Sequence, residues 1–245
     1  MRGGRAAAGA ALLAALAGCA APRSSTEARY RELVAEYAAA GRLRTEAAPL
    51  DAPFGNRELV RNFERIAFFT EFSRDETRLE ARAEPVALFR WQGPLVWRLE
   101  GDAATAADRA AIGRLTARVA RLTGLEVREA RGEEPATMVI LVASEALRRR
   151  FVAMLDDVEA GRRMRLVRAW ARDDRFPCVG QVGRVAGPRG GSRALLVVKA
   201  ETMGLLRESC FHEELVQSLG LLNDDAAARP SIFNDDQEFA LLTRH

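Results

Sequence analysis

Apolar positions recur along this chain with two different periods, and the change of period divides it. Residues 27–43, EARYRELVAEYAAAGRL, carry apolar side chains at helical spacing, and RTEAAPLDAPFG at 44–55 follows as a loop with two prolines. Asn56 stands where a cap belongs for a helix over 57–72, whose Leu59, Phe63, Ile66 and Phe69 fall on one stripe. After a polar stretch at 73–84 the pattern changes. VALFRW (86–91) and LVWRLEG (95–101), separated by QGP, predict two strands meeting at a turn. The segment 105–125 predicts a long helix with Ile112, Leu115, Val119 and Leu122 on one side and Gly124 as its stop. TMVILVAS at 137–144 is a continuous apolar run, as an interior strand requires. A helix capped by Ser144 comes next. CVGQVGRV (178–185) and RALLVVKA (193–200) then flank the turn AGPRGG, and a last helix over about 203–219 ends at Gly220 before an acidic loop.

From residue 86 the order is strand, helix, strand, helix, strand pair, helix. That predicts an α/β (α+β) fold, a mixed sheet with packed helices, preceded by N-terminal helices. The expected division is a signal peptide at 1–18, a tether at 19–28, a helical segment at 29–84 and the main domain at 85–245.

The first residues change the picture. MRGGR supplies positive charge, and AAAGAALLAALAG is an apolar run too short to span a membrane as a mature helix. It ends in Leu16-Ala17-Gly18-Cys19, which resembles a lipobox, with Cys19 lipidated as the first mature residue. The alternative is an ordinary secretory signal cut near Ala20–Ala21. Both export the chain; the first anchors it on the periplasmic face of a membrane, with the outer membrane expected because no Asp follows Cys19. The formal charge of +3 falls to +1 once Arg2 and Arg5 are removed, so no electrostatic partner is implied. No basic stripe is interleaved with aromatics, which excludes nucleic acid as the expected partner. In an oxidising compartment the remaining pair, Cys178 and Cys210, predicts a disulfide, the alternative being two separate buried thiols.

The candidate chemistry sits in the last helix. CFHEELVQSLGLLND, 210–223 and on to Asp224, suggests the zinc-protease helix H-E-x-x-H, but in the register of His212 the second histidine position holds Val216. One residue later, Glu213, Glu214, Gln217, Gly220 and Asn223 fall at the spacing of H-E-x-x-H-x-x-G-x-x-H. The ligand positions then hold Glu213, Gln217 and Asn223. Glu214 occupies the position of the general base, and Gly220 that of the turn.

This helix, with SIFNDD at 231–236 and FALLT at 239–243, resembles a family of uncharacterised bacterial secreted proteins and lipoproteins. The family is grouped as a domain of unknown function and related to the zincin (metzincin-like) peptidases. The resemblance covers about Asn56 to the C-terminus. It implies a zincin-like fold ending in an active-site-type helix, and no established reaction. Family members run on past the LT segment into a short helix and a Pro-Gly-Met turn, so a chain ending at His245 is expected to be truncated.

Zinc favours nitrogen and sulfur donors, whereas Glu213, Gln217 and Asn223 offer oxygen, two of them from neutral amides. No zinc is therefore expected, and calcium is the metal that such oxygens would suit, with Asp224, Asp225, Asp235 and Asp236 nearby. His212, about 100° round the helix from Glu213, reads as a packing residue, and His245 as a mobile chain end. Three functions compete. One is a non-catalytic binding or scaffold module of the envelope, with Glu213, Glu214, Gln217 and Asn223 as the polar floor of a cleft that takes a protein or peptide partner. The second is a metal-dependent hydrolase with Glu214 as base. The third is a structural lipoprotein.

Overall fold

A computed structural model of the chain describes residues 25–72, 81–154, 164–185, 190–234 and 236–245. The signal segment with Cys19, the turn residues 186–189 and Asp235 lie outside the described residues. The expected α/β class holds: six helices, a five-stranded mixed sheet and a two-stranded ribbon make up the described elements.

Two helices open the fold, α1 (Ser25–Ala39) and α2 (Asn56–Ala67). Helix α1 therefore takes in part of the expected tether. Its Tyr30 is buried and donates to the carbonyls of Asp174 and Phe176, both at 3.1 Å. Thr26 adds a bond to the Asp174 carboxylate, whose other oxygen accepts from Lys199 Nζ at 3.1 Å. Lys199 is itself 0% exposed, and it lies over the Trp170 ring. A desolvated ammonium needs this partner, because an unpaired buried charge is strongly disfavoured.

Helix α2 ends five residues earlier than its pattern predicts. Its cap is Gly55, whose N–H donates to Glu58, so Asn56 is already inside the helix. The buried face is Asn62, Ile66 and Ala67, while Phe63 is 48% exposed. The chain extends beyond Ala67 because β1 (Phe69–Phe72) pairs antiparallel with β2 (Ala81–Pro85) in the small ribbon. Pairing across the ribbon overrides the helical stripe that ran through Phe69.

The main sheet has the order β4-β3-β5-β7-β6. Its strands are β3 (Leu95–Glu100), β4 (Val127–Glu129), β5 (Met138–Ala143), β6 (Cys178–Val185) and β7 (Gly191–Lys199). All neighbours are parallel except the β6–β7 hairpin, which places β6 at an edge. Segment 86–91, expected as a strand, is not one. It crosses the hairpin as an irregular strap: Gln92 and Ser192 exchange bonds at 2.8 and 3.2 Å, and Trp91 is buried. Pro85 and Pro94 bracket the segment, each lacking the N–H that a ladder needs.

Between strands run α3 (Ala106–Thr123), α4 (Glu145–Met154), α5 (Arg165–Trp170) and finally α6 (Gly204–Gln217). Helix α3 is boxed by Thr105 and Asp108 and stops at Gly124, and Ser144 Oγ accepts from Leu147 N–H as the cap of α4. Strand alternation divides the core. Leu196, Val198, Ile140 and Cys178 pack on α3 and α6, through Ile112, Leu115, Cys210 and Leu215. Val179 and Val197 face the other way, onto Val167 and Trp170 of α5 with Phe72 of β1.

Candidate functional site

The last helix lies against the edge strand, and a disulfide joins them. Cys178 of β6 and Cys210 of α6 are bonded, with Cα atoms 5.8 Å apart, as the cysteine pair predicted. One turn beyond Cys210, Glu214 is buried, and its carboxyl accepts a hydrogen bond from the Gly180 backbone N–H. Glycine at 180 leaves room for this carboxyl. A Cβ there would stand 2.8 Å from Glu214 Oε2 and 3.2 Å from Leu196 Cδ2.

Glu214 opens onto a cavity of about 290 Å³. Its walls are Thr70–Phe72 of β1, Arg165 and Leu166 of α5, Val179–Val182 of β6, and Glu214, Gln217 and Ser218 at the end of α6, with Leu222 beyond. Valine, leucine and phenylalanine supply apolar surface, and the polar groups converge from the helix end. This is the usual composition of a ligand pocket.

Burial is the main reason that the Glu214 carboxyl holds its proton up to about pH 8. The negative charge of Asp224 adds to the shift, and the Gly180 N–H opposes it. Gln217 Nε2 donates to Asp224 Oδ1 at 3.0 Å and so keeps Asp224 beside the site. The site thus contains a neutral acid next to an acidic loop.

The five positions of the spacing frame separate in space. Glu214 and Gln217 line the cavity, three residues apart on one helix face. Glu213 is half-buried and lies outside the cavity wall. Asn223 is buried, and its side-chain amide donates to the Arg65 carbonyl at 3.0 Å while its backbone N–H donates to that of Ile66. With Glu71 N–H bonded to Leu222 O, this ties the 222–225 segment to α2 and β1. Gly220, with φ +131°, allows its backbone to pass the Phe89 carbonyl, where a Cβ would come within 2.1 Å. Among the described residues, no three His, Cys, Asp or Glu side chains gather as a metal-binding group.

His212 is a packing residue, as expected. Its Nδ1 accepts from Leu242 N–H at 2.9 Å, and burial, with Arg118 and Arg114 near, lowers its proton affinity to about pH 4. His245, expected to be mobile, is instead half-buried: Nε2 lies 2.9 Å from Asn62 Nδ2, and the ring meets Phe54 edge-on. The SIFND segment serves the core, where Ile232 and Phe233 are buried. Gly180 and Ser218 were not anticipated as part of the site. The signal for both was the cysteine pair, since 180 lies two residues from Cys178 on a strand, and 214 and 218 lie one and two turns from Cys210.

The family model described as "Protein of unknown function (DUF2927)" matches residues 56–245. No curated protein and no solved structure matches the chain.

Proposed function

The chain belongs to the DUF2927 family of proteins of unknown function, and we propose that this member is an exported, lipid-anchored binding module of the cell envelope. Its cleft is a degenerate zincin-like site that holds a peptide or protein segment without cleaving it. The observation that carries the reading is the seat of Glu214, a buried carboxylic acid facing a lined cavity. A zincin base must be ionised beside a metal-bound water. Glu214, with a pKa near 8, is mostly neutral at pH 7, and serves instead as a hydrogen-bond donor to a ligand. The donor set does not suit zinc: two of the three ligand positions offer neutral amide oxygens, from Gln217 and Asn223, and Glu213 lies outside the cavity wall. Export is supported by the Arg-flanked apolar run ending at Cys19 and by the Cys178–Cys210 bridge, which suits an oxidising compartment.

The test is selection from a random hexapeptide library on the immobilised full chain. Wild type should enrich one family of sequences. Thr70→Trp and Val182→Trp, which fill the cavity from two walls, should weaken the selected peptide at least tenfold, about 1.4 kcal/mol. Equal enrichment on both variants would remove the cavity as the binding site.

One observation favours a second reading, hydrolysis with Glu214 as the base. A titration near pH 8 is close to what general acid–base catalysis requires. Peptide hydrolysis by the purified chain, abolished by Glu214→Gln, would establish it.

A further inference from the structure

We propose that Cys178, Cys210 and Gly180 are positioning residues for Glu214. The covalent bridge and the strand amide are successive rungs of one helix–strand ladder, and the first keeps the second in register. The inference rests on the reading of Glu214 as the functional group of the cavity.

The geometry comes from two periodicities. Alternate residues of a strand face one side, so Cys178, Gly180 and Val182 share the face of β6 that meets α6. Residues four apart on a helix share a face, so Cys210, Glu214 and Ser218 run down the side of α6 toward β6. Two strand residues advance about 6.7 Å and four helix residues about 6 Å, so the two rows stay in step. The first rung is the bridge, Cys178 to Cys210. The second is Gly180 N–H to the Glu214 carboxyl. At the third step Val182 and Ser218 no longer touch through a bond, and both line the cavity. The cavity begins where the ladder ends.

The second rung leaves little tolerance. A Cβ at Gly180 would stand 2.8 Å from Glu214 Oε2, the end of a flexible side chain, and 3.5 Å from the Glu214 backbone oxygen, so an added methyl displaces the carboxyl and not the helix. Among the described strands β6 lies at the edge of the sheet, beside β7. The sheet holds β6 along its β7 side, so its contact with α6 is held from outside the sheet. The bridge holds it one rung away. Loss of the bridge lets α6 rise from β6, the carboxyl leaves the amide, and water reaches it. The other charged groups at the cavity are Asp224 beyond α6, Glu71 of β1 and Arg165 of α5.

The test is an NMR titration of the full chain, reading the Gly180 amide proton, which shifts when the carboxyl that it touches ionises. In wild type the midpoint should lie near pH 8, and Glu214→Gln should abolish the titration. In Cys178→Ala/Cys210→Ala, with its helical circular dichroism retained, the midpoint should fall by at least one unit toward the ordinary glutamate value of 4.5, or the amplitude should drop to half or less. A wild-type midpoint and amplitude in that variant overturns the inference. If the double variant does not fold, the oxidised Gly180→Ala chain decides. The residue-180 amide should lose at least half its amplitude there, and full amplitude overturns the inference. The peptide selection fails or succeeds independently. A cavity that binds peptide while the titration ignores the bridge removes only the positioning role. A titration that behaves as expected over a cavity that selects nothing removes only the binding role.

Discussion

Replacing Glu214 with glutamine should stabilise the protein, and by an amount that grows with pH. In the folded chain the Glu214 carboxyl keeps its proton to about pH 8, against an ordinary value of 4.5. The unfolded chain releases that proton first. Between the two values the folded state therefore binds one proton more than the unfolded state, and stability falls as pH rises. The contribution is fully present below the unfolded value and lost on passing through the folded one. At about 1.4 kcal/mol per unit, the loss is roughly 3 kcal/mol by pH 7 and roughly 5 kcal/mol above pH 8. Glutamine has nearly the same shape and no proton to lose, so Glu214→Gln removes this slope. Guanidinium unfolding of both chains at half-unit steps from pH 4.5 to 9 measures it. A fixed offset from the amide's own hydrogen bonding moves the whole curve and leaves the slope intact. If the difference in stability stays constant within about 1 kcal/mol from pH 5 to pH 8, Glu214 does not titrate from a buried seat, and the argument fails.

The acid side has its own limb. Buried His212 takes up a proton only near pH 4, so stability present above the unfolded value of 6.5 is lost as pH falls between the two, about 3 kcal/mol in all. His212→Asn keeps an acceptor for the Leu242 N–H and should flatten this limb; an unchanged acid transition speaks against it. Reducing the Cys178–Cys210 bridge, which spans 32 positions, should cost roughly 3 to 4 kcal/mol on denaturant unfolding, and a loss under about 1 kcal/mol would contradict the estimate. Gly220→Ala puts a Cβ against the Phe89 carbonyl at positive φ and should destabilise by about 3 kcal/mol or more; a melting temperature within about 2 °C of wild type counts against that contact. Radiolabelled palmitate should enter wild type and not Cys19→Ala, and equal labelling of the two ends the anchor proposal.

Elements with a single strong signal were legible. The apolar run at β5, the capped stripe of α3 and the β6–β7 hairpin emerge close to their expected places, and the lone cysteine pair fixed the contact between α6 and β6. Segment 86–91 was misread because aromatic and branched residues promise a strand wherever they occur, while the bonds that decide the matter, Gln92 to Ser192, span a hundred positions. β1 has no local signal for the same reason, since its ribbon partner, Ala81–Pro85, lies at the end of the stretch that reads as polar. At the site, a helix motif lists residues of one element and is silent about the opposite wall. Glu214 and Gln217 were visible in that way, whereas Gly180 is meaningful only opposite a carboxyl from elsewhere. Asn223 fitted the spacing frame, yet its amide binds the end of α2, a contact that a local spacing does not encode.

Lys199 is the only lysine among the 245 residues, and it lies wholly inside. The folded domain therefore offers no ε-amine to solvent. Its other basic side chains in the Lys and Arg count are guanidinium groups, which keep their charge to beyond about pH 12. An acylating reagent that attacks primary amines can reach Lys199 only when the Trp170 and Asp174 contacts open. The rate at which that one nitrogen is acylated is then a clock for the opening of the domain where α1, α5 and the end of β7 meet, read by mass from an unmodified sequence with no probe attached.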